Sequence, residues 1–215
     1  MNRYTLTIVF LFLGSSLFAQ LKDRNFGTVD RYALKVKSST IPDLAKQLTD
    51  RYPDELDKVR SVFRWITENI SYRMPEKRKY YFETDAGDDT AALKPPEERV
   101  AERVLKSRLA YCDGYAKLFK TLCGYAGVTA VTISGYGRAN VYHPGPFRTN
   151  HTWNAVKIDS NWYLLDLTWA TGFVSLANGD FIKRLDESYF LTPPDVFIKD
   201  HYPDDLSWSL LSDPP

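Results

Sequence analysis

Three residues of this 215-residue chain have the types and spacing to do chemistry together: Cys112, His151 and Asp166. Cys112 stands in Tyr111-Cys112-Asp113-Gly114-Tyr115-Ala116, and behind it Tyr115, Leu118, Phe119, Leu122 and Ala126 recur at helical spacing. The pattern predicts a helix over residues 113 to about 126, with Asp113 in its first turn and Gly124 and Gly127 at its stop. A thiol at a helix N-terminus meets the positive end of the dipole and unpaired backbone N–H groups. Both favour the thiolate and so a nucleophile. The same N–H groups suit an oxyanion.

A nucleophile of this kind needs a base. Two strands are predicted, His151 to Ile158 and Asn161 to Trp169, joined by Asp159-Ser160 as a tight turn. If Ile158 pairs with Asn161, His151 lies opposite Thr168 and Trp153 opposite Asp166, which makes His151 and Asp166 diagonal neighbours on one face. A one-residue slip would separate them. A carboxylate on the apolar run Trp162-Tyr163-Leu164-Leu165-Asp166 is costly to bury unpaired, and His151 is its natural partner. Asp166 would fix the imidazole tautomer and leave the other ring nitrogen to the thiol, the arrangement of nucleophile, base and orienter used by cysteine hydrolases. Taken singly, each residue has an ordinary structural reading. The combination and its order carry the chemistry.

The elements that must position these residues are legible upstream. Pro53-Asp54-Glu55 opens a helix in which Leu56, Val59, Val62, Phe63, Ile66 and Ile70 repeat every three or four residues. A short strand at Tyr32 to Val36, short helices at Asp43 to Leu48 and Glu97 to Lys106, and a strand at Val128 to Gly137 complete the expected set. Residues 73–99 and 138–150 read as surface loops able to border a cleft, and 170–215 as mixed structure rich in proline. The fold class is α+β: a helical N-terminal half, including the nucleophile helix, packed on an antiparallel sheet.

Residues 1–19 read as a signal peptide, with a positive start at Arg3, an apolar run from Leu6 to Leu13, and small residues before a cut between Ala19 and Gln20. Arg3 is the one charge there, so residues 20–215, expected as a single domain, carry 27 Lys and Arg against 27 Asp and Glu. This balance gives no footing for nucleic acid, and no integral membrane segment is expected after signal removal. Cys112 and Cys123 are eleven residues apart on one helix, about 16 Å at ~1.5 Å per residue, against the ~7 Å limit between Cα atoms for a disulfide. An exported protein, periplasmic or extracellular, would thus carry a free thiol, which catalysis explains; Cys123 fits a small core residue. No metal or cofactor is expected: there is no EF-hand spacing, and two cysteines cannot form paired CxxC motifs.

Tyr111 to Phe119, Asn150-His151-Thr152-Trp153-Asn154-Ala155-Val156 and Trp162 to Trp169 resemble the three core motifs of the transglutaminase-like superfamily, which has a papain-like fold. Arg64-Trp65-Ile66 and Asn69-Ile70-Ser71-Tyr72 resemble its upstream segment. Tyr189 to Pro194, His201-Tyr202-Pro203 and Trp208 to Leu211 resemble the tail of the kyphoscoliosis-peptidase-like branch. The resemblance covers about residues 30–211. It implies Cys112 as nucleophile, His151 as general base and acid, and Asp166 as orienter, acting on a protein or peptide substrate through a thioester. Ala110 departs from the glycine of many relatives, and alanine fits there unless the backbone needs positive φ. The resemblance leaves open whether water or an amine resolves the thioester, and hydrolysis of amide or peptide bonds is the leading reading. Amine transfer, as in crosslinking transglutaminases, and a non-catalytic envelope module are the alternatives.

Overall fold

A four-stranded antiparallel sheet separates two unlike layers in the computed structural model, which describes residues 24–74, 94–138, 148–175 and 177–215. The layer before the sheet is helical: α1 (Gly27–Ala33), α2 (Ile41–Thr49), α3 (Glu55–Asn69), α4 (Pro96–Ser107) and α5 (Cys112–Tyr125). The Asp54 side chain caps α3 by accepting from the Asp57 N–H at 2.8 Å, and Glu55 and Asp57 sit in its first turn. Its periodic residues Leu56, Val59, Val62, Phe63 and Ile66 are all buried, as their spacing predicts. Two short strands, β1 (Ser71–Tyr72) and β2 (Leu109–Ala110), pair in parallel and deliver the chain to the start of α5. Ala110 is buried and keeps negative φ, so alanine is accommodated there. The predicted strand at Tyr32 to Val36 is absent. Val29 and Ala33 share the buried face of α1 against α3, and that packing overrides the β-propensity of Tyr32 and Val36.

The sheet runs in the order β5 (Asn161–Leu165), β4 (His151–Ile158), β3 (Ala130–Gly137), β8 (His201–Pro203). Ile158 pairs with Asn161 and Asn154 with Leu165, the register expected from the two-residue turn. Asp159 and Ser160 both take positive φ, 47° and 70°, which matches the turn to the twist of the strands. On one face Val156, Ile158, Tyr163 and Leu165 join the helical core, with α5 lying across β3 and β4. On the other face Ile133, Trp153, Ala155 and Leu164 form a smaller core with Phe197, against which Trp162, Trp208 and Leu210 pack.

After the sheet hairpin the chain forms α6 (Leu167–Thr171), packed on α3 and α5, the hairpin β6 (Gly172–Val174) and β7 (Phe181–Lys183), packed on α6 and β1, and a 3-10 turn at Glu187–Tyr189; the second face is covered by α7 (Pro194–Phe197) and a second 3-10 turn at Leu206–Ser209. The strand predicted to reach Trp169 stops at Leu165, because Asp166 turns the chain into α6. Gly135 lets β8 lie close: a Cβ there would come within 2.1 Å of the Tyr202 carbonyl oxygen and 2.6 Å of the Trp153 ring. The sequence-based readings for residues 1–19 and for most of the loops at 73–99 and 138–150 lie outside the described residues. Among the described residues no helix is long and apolar enough to cross a membrane.

Candidate active site

Cys112 is the first residue of α5 and is partly exposed. No side chain caps this helix, and its backbone bonding begins with Tyr115 N–H to the Tyr111 carbonyl at 3.1 Å. The first-turn N–H groups beside the thiol therefore point out of the helix end with no side-chain acceptor. The remainder of α5 is held from below: Tyr115, Leu118, Phe119, Leu122 and Cys123 are buried, and Asp113 pairs with Lys117 at 2.8 Å. The buried Asn154 side chain on β4 donates to the Ala116 carbonyl at 3.0 Å and to Val131 at 3.0 Å, which pins the helix backbone to the sheet. Cys123 is buried and apolar-packed, and burial pushes its thiol above the ordinary range. Both cysteines are free, as the helical spacing requires.

His151 opens β4. The Asn150 side chain accepts from the Gly137 N–H at 2.7 Å and donates to the Gly137 carbonyl at 3.2 Å, fixing the strand entrance. Gly137 is needed beside it, since a Cβ would come within 2.9 Å of the His151 Cβ. The imidazole stacks on Trp169, ring centres 5.0 Å apart and 26° between planes. Its Nε2–H donates to Asp166 Oδ2 at 2.7 Å, and Cys112 is near enough to add to the stabilisation of the charged ring. With Nε2 occupied by the carboxylate, Nδ1 is the nitrogen left for sulfur.

Asp166 is fully buried and serves two purposes at once. As N-cap of α6, its Oδ1 accepts from the N–H groups of Thr168 at 2.7 Å and Trp169 at 3.2 Å. Its Oδ2 accepts from His151 and, at 3.0 Å, from Nε2 of His201. Burial pushes the carboxyl toward its neutral form, but His151 and the hydrogen bonds outweigh it and hold Asp166 well below the ordinary carboxylate range. Burial likewise opposes a charged His151 ring. Asp166, with Cys112 behind it, overcomes that and raises the group from 6.5 to about 10. Each partner thus favours the ionised form of the other.

The structure brings all three predicted residues together and adds one that the sequence placed only within the stretch resembling the branch tail. His201, at the start of β8, is 1% exposed and lies between Asp166 and Asp200, whose Oδ1 is 2.6 Å from its Nδ1. The signal in the sequence was the Asp200-His201 pair inside a stretch resembling the branch tail. Trp153 belongs to the core: it is 1% exposed and packs edge-on against Phe197 and His201. Tyr72 is half-buried, with its ring against Tyr111 beside the thiol. Among the described residues, His151, Asp166 and His201 are the one grouping with metal-ligand chemistry. Both rings already meet the shared carboxylate oxygen at hydrogen-bond distance, so protons satisfy the cluster.

Residues 42–167 match the family described as the Transglutaminase-like superfamily. The chain is similar to the Kyphoscoliosis peptidase of Homo sapiens, 33% identical over 195 residues that cover 89% of this chain and 27% of that protein. It is similar to Hillarin of Drosophila melanogaster, 31% identical over 206 residues, 88% of this chain and 23% of that one. It therefore spans about a quarter of the length of these relatives. Among solved structures it is similar to the periplasmic domain of TgpA from Pseudomonas aeruginosa, at 17% identity and a TM-score of 0.42, covering 66% of this chain and 47% of that one.

Proposed function

The chain belongs to the transglutaminase-like superfamily, and on that premise we propose that it is a cysteine-dependent hydrolase of amide or peptide bonds. The observation that carries this reading is one imidazole bonded at 2.7 Å to a buried carboxylate, with a thiol at a helix N-terminus near enough to favour its charged form. Cys112 is the nucleophile, His151 the base and acid, and Asp166 the orienter. With the thiol proton held on His151 Nδ1, sulfur attacks the carbonyl carbon. The oxyanion is received by the N–H groups at the start of α5, that of Cys112 among them. His151 then returns the proton to the departing amine, leaving a thioester. Water attacks the thioester, His151 takes its proton, and the carbonyl collapses to release the acid and the Cys112 thiolate. An amine in place of water gives transfer, the crosslinking alternative.

Export is part of the proposal. It is supported by the signal-peptide pattern of residues 1–19, with the domain following at 20–215. Replacing Cys112 by Ala is expected to abolish acyl-enzyme formation, a loss of about 10⁴-fold or more in turnover, while thermal melting stays within about 2 °C, since the side chain is partly exposed. Turnover that survives Cys112→Ala would end the mechanism. Ammonia release from a glutamine peptide that accelerates with added primary amine would reassign it from hydrolysis to transfer.

A further inference from the structure

The matched family core ends at residue 167, yet the buried carboxylate of the site is completed by a side chain from β8, thirty-odd residues later. We propose that His201 is a positioning residue of this site: it holds Asp166 ionised and aligned on His151, and is itself aligned by Asp200. The inference rests on the nucleophile–base reading above. It adds a fourth and a fifth member, so that the working chain runs Cys112, His151, Asp166, His201, Asp200.

The need for such a residue follows from the cycle. Asp166 is inaccessible to water, and a buried carboxylate stays ionised only with its lone pairs filled. When His151 carries the extra proton, its charge supports Asp166. When His151 is neutral, having given its proton to the departing amine and waiting to take one from water, that support falls to a single neutral hydrogen bond. The donors that remain throughout are the N–H groups of Thr168 and Trp169 on Oδ1, and His201 on Oδ2. Remove His201, and the outer lone pair of Oδ2 faces only aromatic rings. The carboxyl then takes up a proton and ceases to hold the charge of His151.

The placement of the His201 ring leaves it little freedom. It stacks on Phe197, with ring centres 4.0 Å apart and 21° between planes, and it tilts against Trp169 at 4.4 Å. Asp200 Oδ1 fixes Nδ1 at 2.6 Å, and the Tyr189 hydroxyl reaches Asp200 Oδ2 at 3.4 Å. Each ring nitrogen of His201 thus faces a carboxylate oxygen. Purely structural histidines need one such partner. This one has two, and the inner one is the orienter itself.

The test is the rate of iodoacetamide alkylation at neutral pH, with the adduct quantified at Cys112 by mass spectrometry, in wild type, His151→Ala, His201→Phe, His201→Gln and Asp200→Asn. His201→Phe keeps a ring against Phe197 and Trp169 and removes both N–H groups. It is expected to slow alkylation by about 10- to 100-fold, the equivalent of one hydrogen bond to a charged group. His201→Gln retains an N–H that reaches Asp166 and is expected to recover most of that loss at the same melting temperature as His201→Phe, which a packing role would not produce. A folded His201→Phe protein that alkylates at the wild-type rate, or a Gln variant no faster than the Phe variant, overturns the proposal. Should His201→Phe not fold, Asp200→Asn decides: a loss of about 3- to 10-fold supports the proposal, and an unchanged rate overturns it. The two readings fail differently. If wild type and His151→Ala alkylate alike, the nucleophile–base reading falls and the positioning role with it; if His151→Ala is slow and His201→Phe is not, the positioning role alone falls.

Discussion

The two faces of the sheet are built by different means and contribute different parts of the site. The face toward α5 is a helical core in which Leu118, Phe119, Leu122, Val156 and Leu165 interlock at regular spacing, and its product is a thiol at a helix end. The opposite face is covered by short turns, and its product is a buried polar chain, His151, Asp166 and His201, walled by Trp153, Trp169 and Phe197. On the first face, what holds the structure together and what does chemistry are separate residues: Cys112 can go and the helix stays. On the second they are the same residues. Asp166 ends β5, caps α6, ties in β8 through His201 and orients His151.

That contrast is sharpest for Asp166. Asp166→Ala strips the N-cap from α6 and leaves two buried imidazoles without their acceptor, the situation in which breaking a buried pair costs about 3–5 kcal/mol. We expect melting to fall by about 10 °C or more for a chain of this size, together with a drop of about 10³- to 10⁴-fold in turnover, as when the orienter of a triad is lost. Cys112→Ala should show the second effect without the first. Equal stability of the two variants in thermal melts would erase the distinction between the faces.

The dependence of melting on pH tests the same face more gently. His151 is raised to about 10 in the folded protein against ~6.5 unfolded. Its contribution to stability is therefore complete below ~6.5 and is lost as pH rises from there toward 10. Asp166 is depressed, so its contribution is present above ~3.9 and is lost as pH falls below that. The two describe one interaction, so a stability plateau is expected between about pH 4 and 6.5, with a decline of several degrees on the alkaline side. Burial pushes the phenols of Tyr115 and Tyr189 above their ordinary value, and their effect enters only above ~10. In melts collected from pH 6 to 9, His151→Gln should flatten the decline. A wild-type curve already flat there contradicts the buried ion pair.

The same contrast explains what could be read from the chain alone. The helical face was legible because period-3.6 burial is a local signal: α3 and α5 fall where Val59, Val62 and Phe63, and Leu118, Phe119 and Leu122, say they should. The β4–β5 register was legible because a two-residue turn fixes it, and with it the His151–Asp166 contact. Asp166 was read as strand because it continues an apolar alternation. Its role as a cap depends on the turn at Leu167–Thr171, which has no period of its own. The position of His201 depends on β8 finding β3 across more than sixty residues of sequence, and on the glycine at 135 that admits the close approach. Nothing local encodes that.

One residue fastens the irregular covering to the helical layer, and it gives the smallest of these effects and the cleanest separation. Arg60 on α3 is 3% exposed, donates to both oxygens of Asp30 on α1 and both oxygens of Glu187 in the 3-10 turn, and lies against the rings of Phe26 and Phe190. Glu187 is half exposed, which discounts that pair, whereas the packing of the guanidinium stem and the partly buried Asp30 do not depend on it. Arg60→Ala is expected to cost about 2–4 kcal/mol in thermal or urea melts. The same turn meets the site through the Tyr189 carbonyl, which accepts from the Asp166 N–H at 3.1 Å, but Asp166 keeps its cap and both histidine contacts without Arg60, so Cys112 alkylation in the folded protein should stay within about twofold of wild type. Loss of thiol reactivity at full folding would mean that the attachment at Glu187 sets the geometry of His151 and Asp166, and that the two faces are one mechanical unit after all.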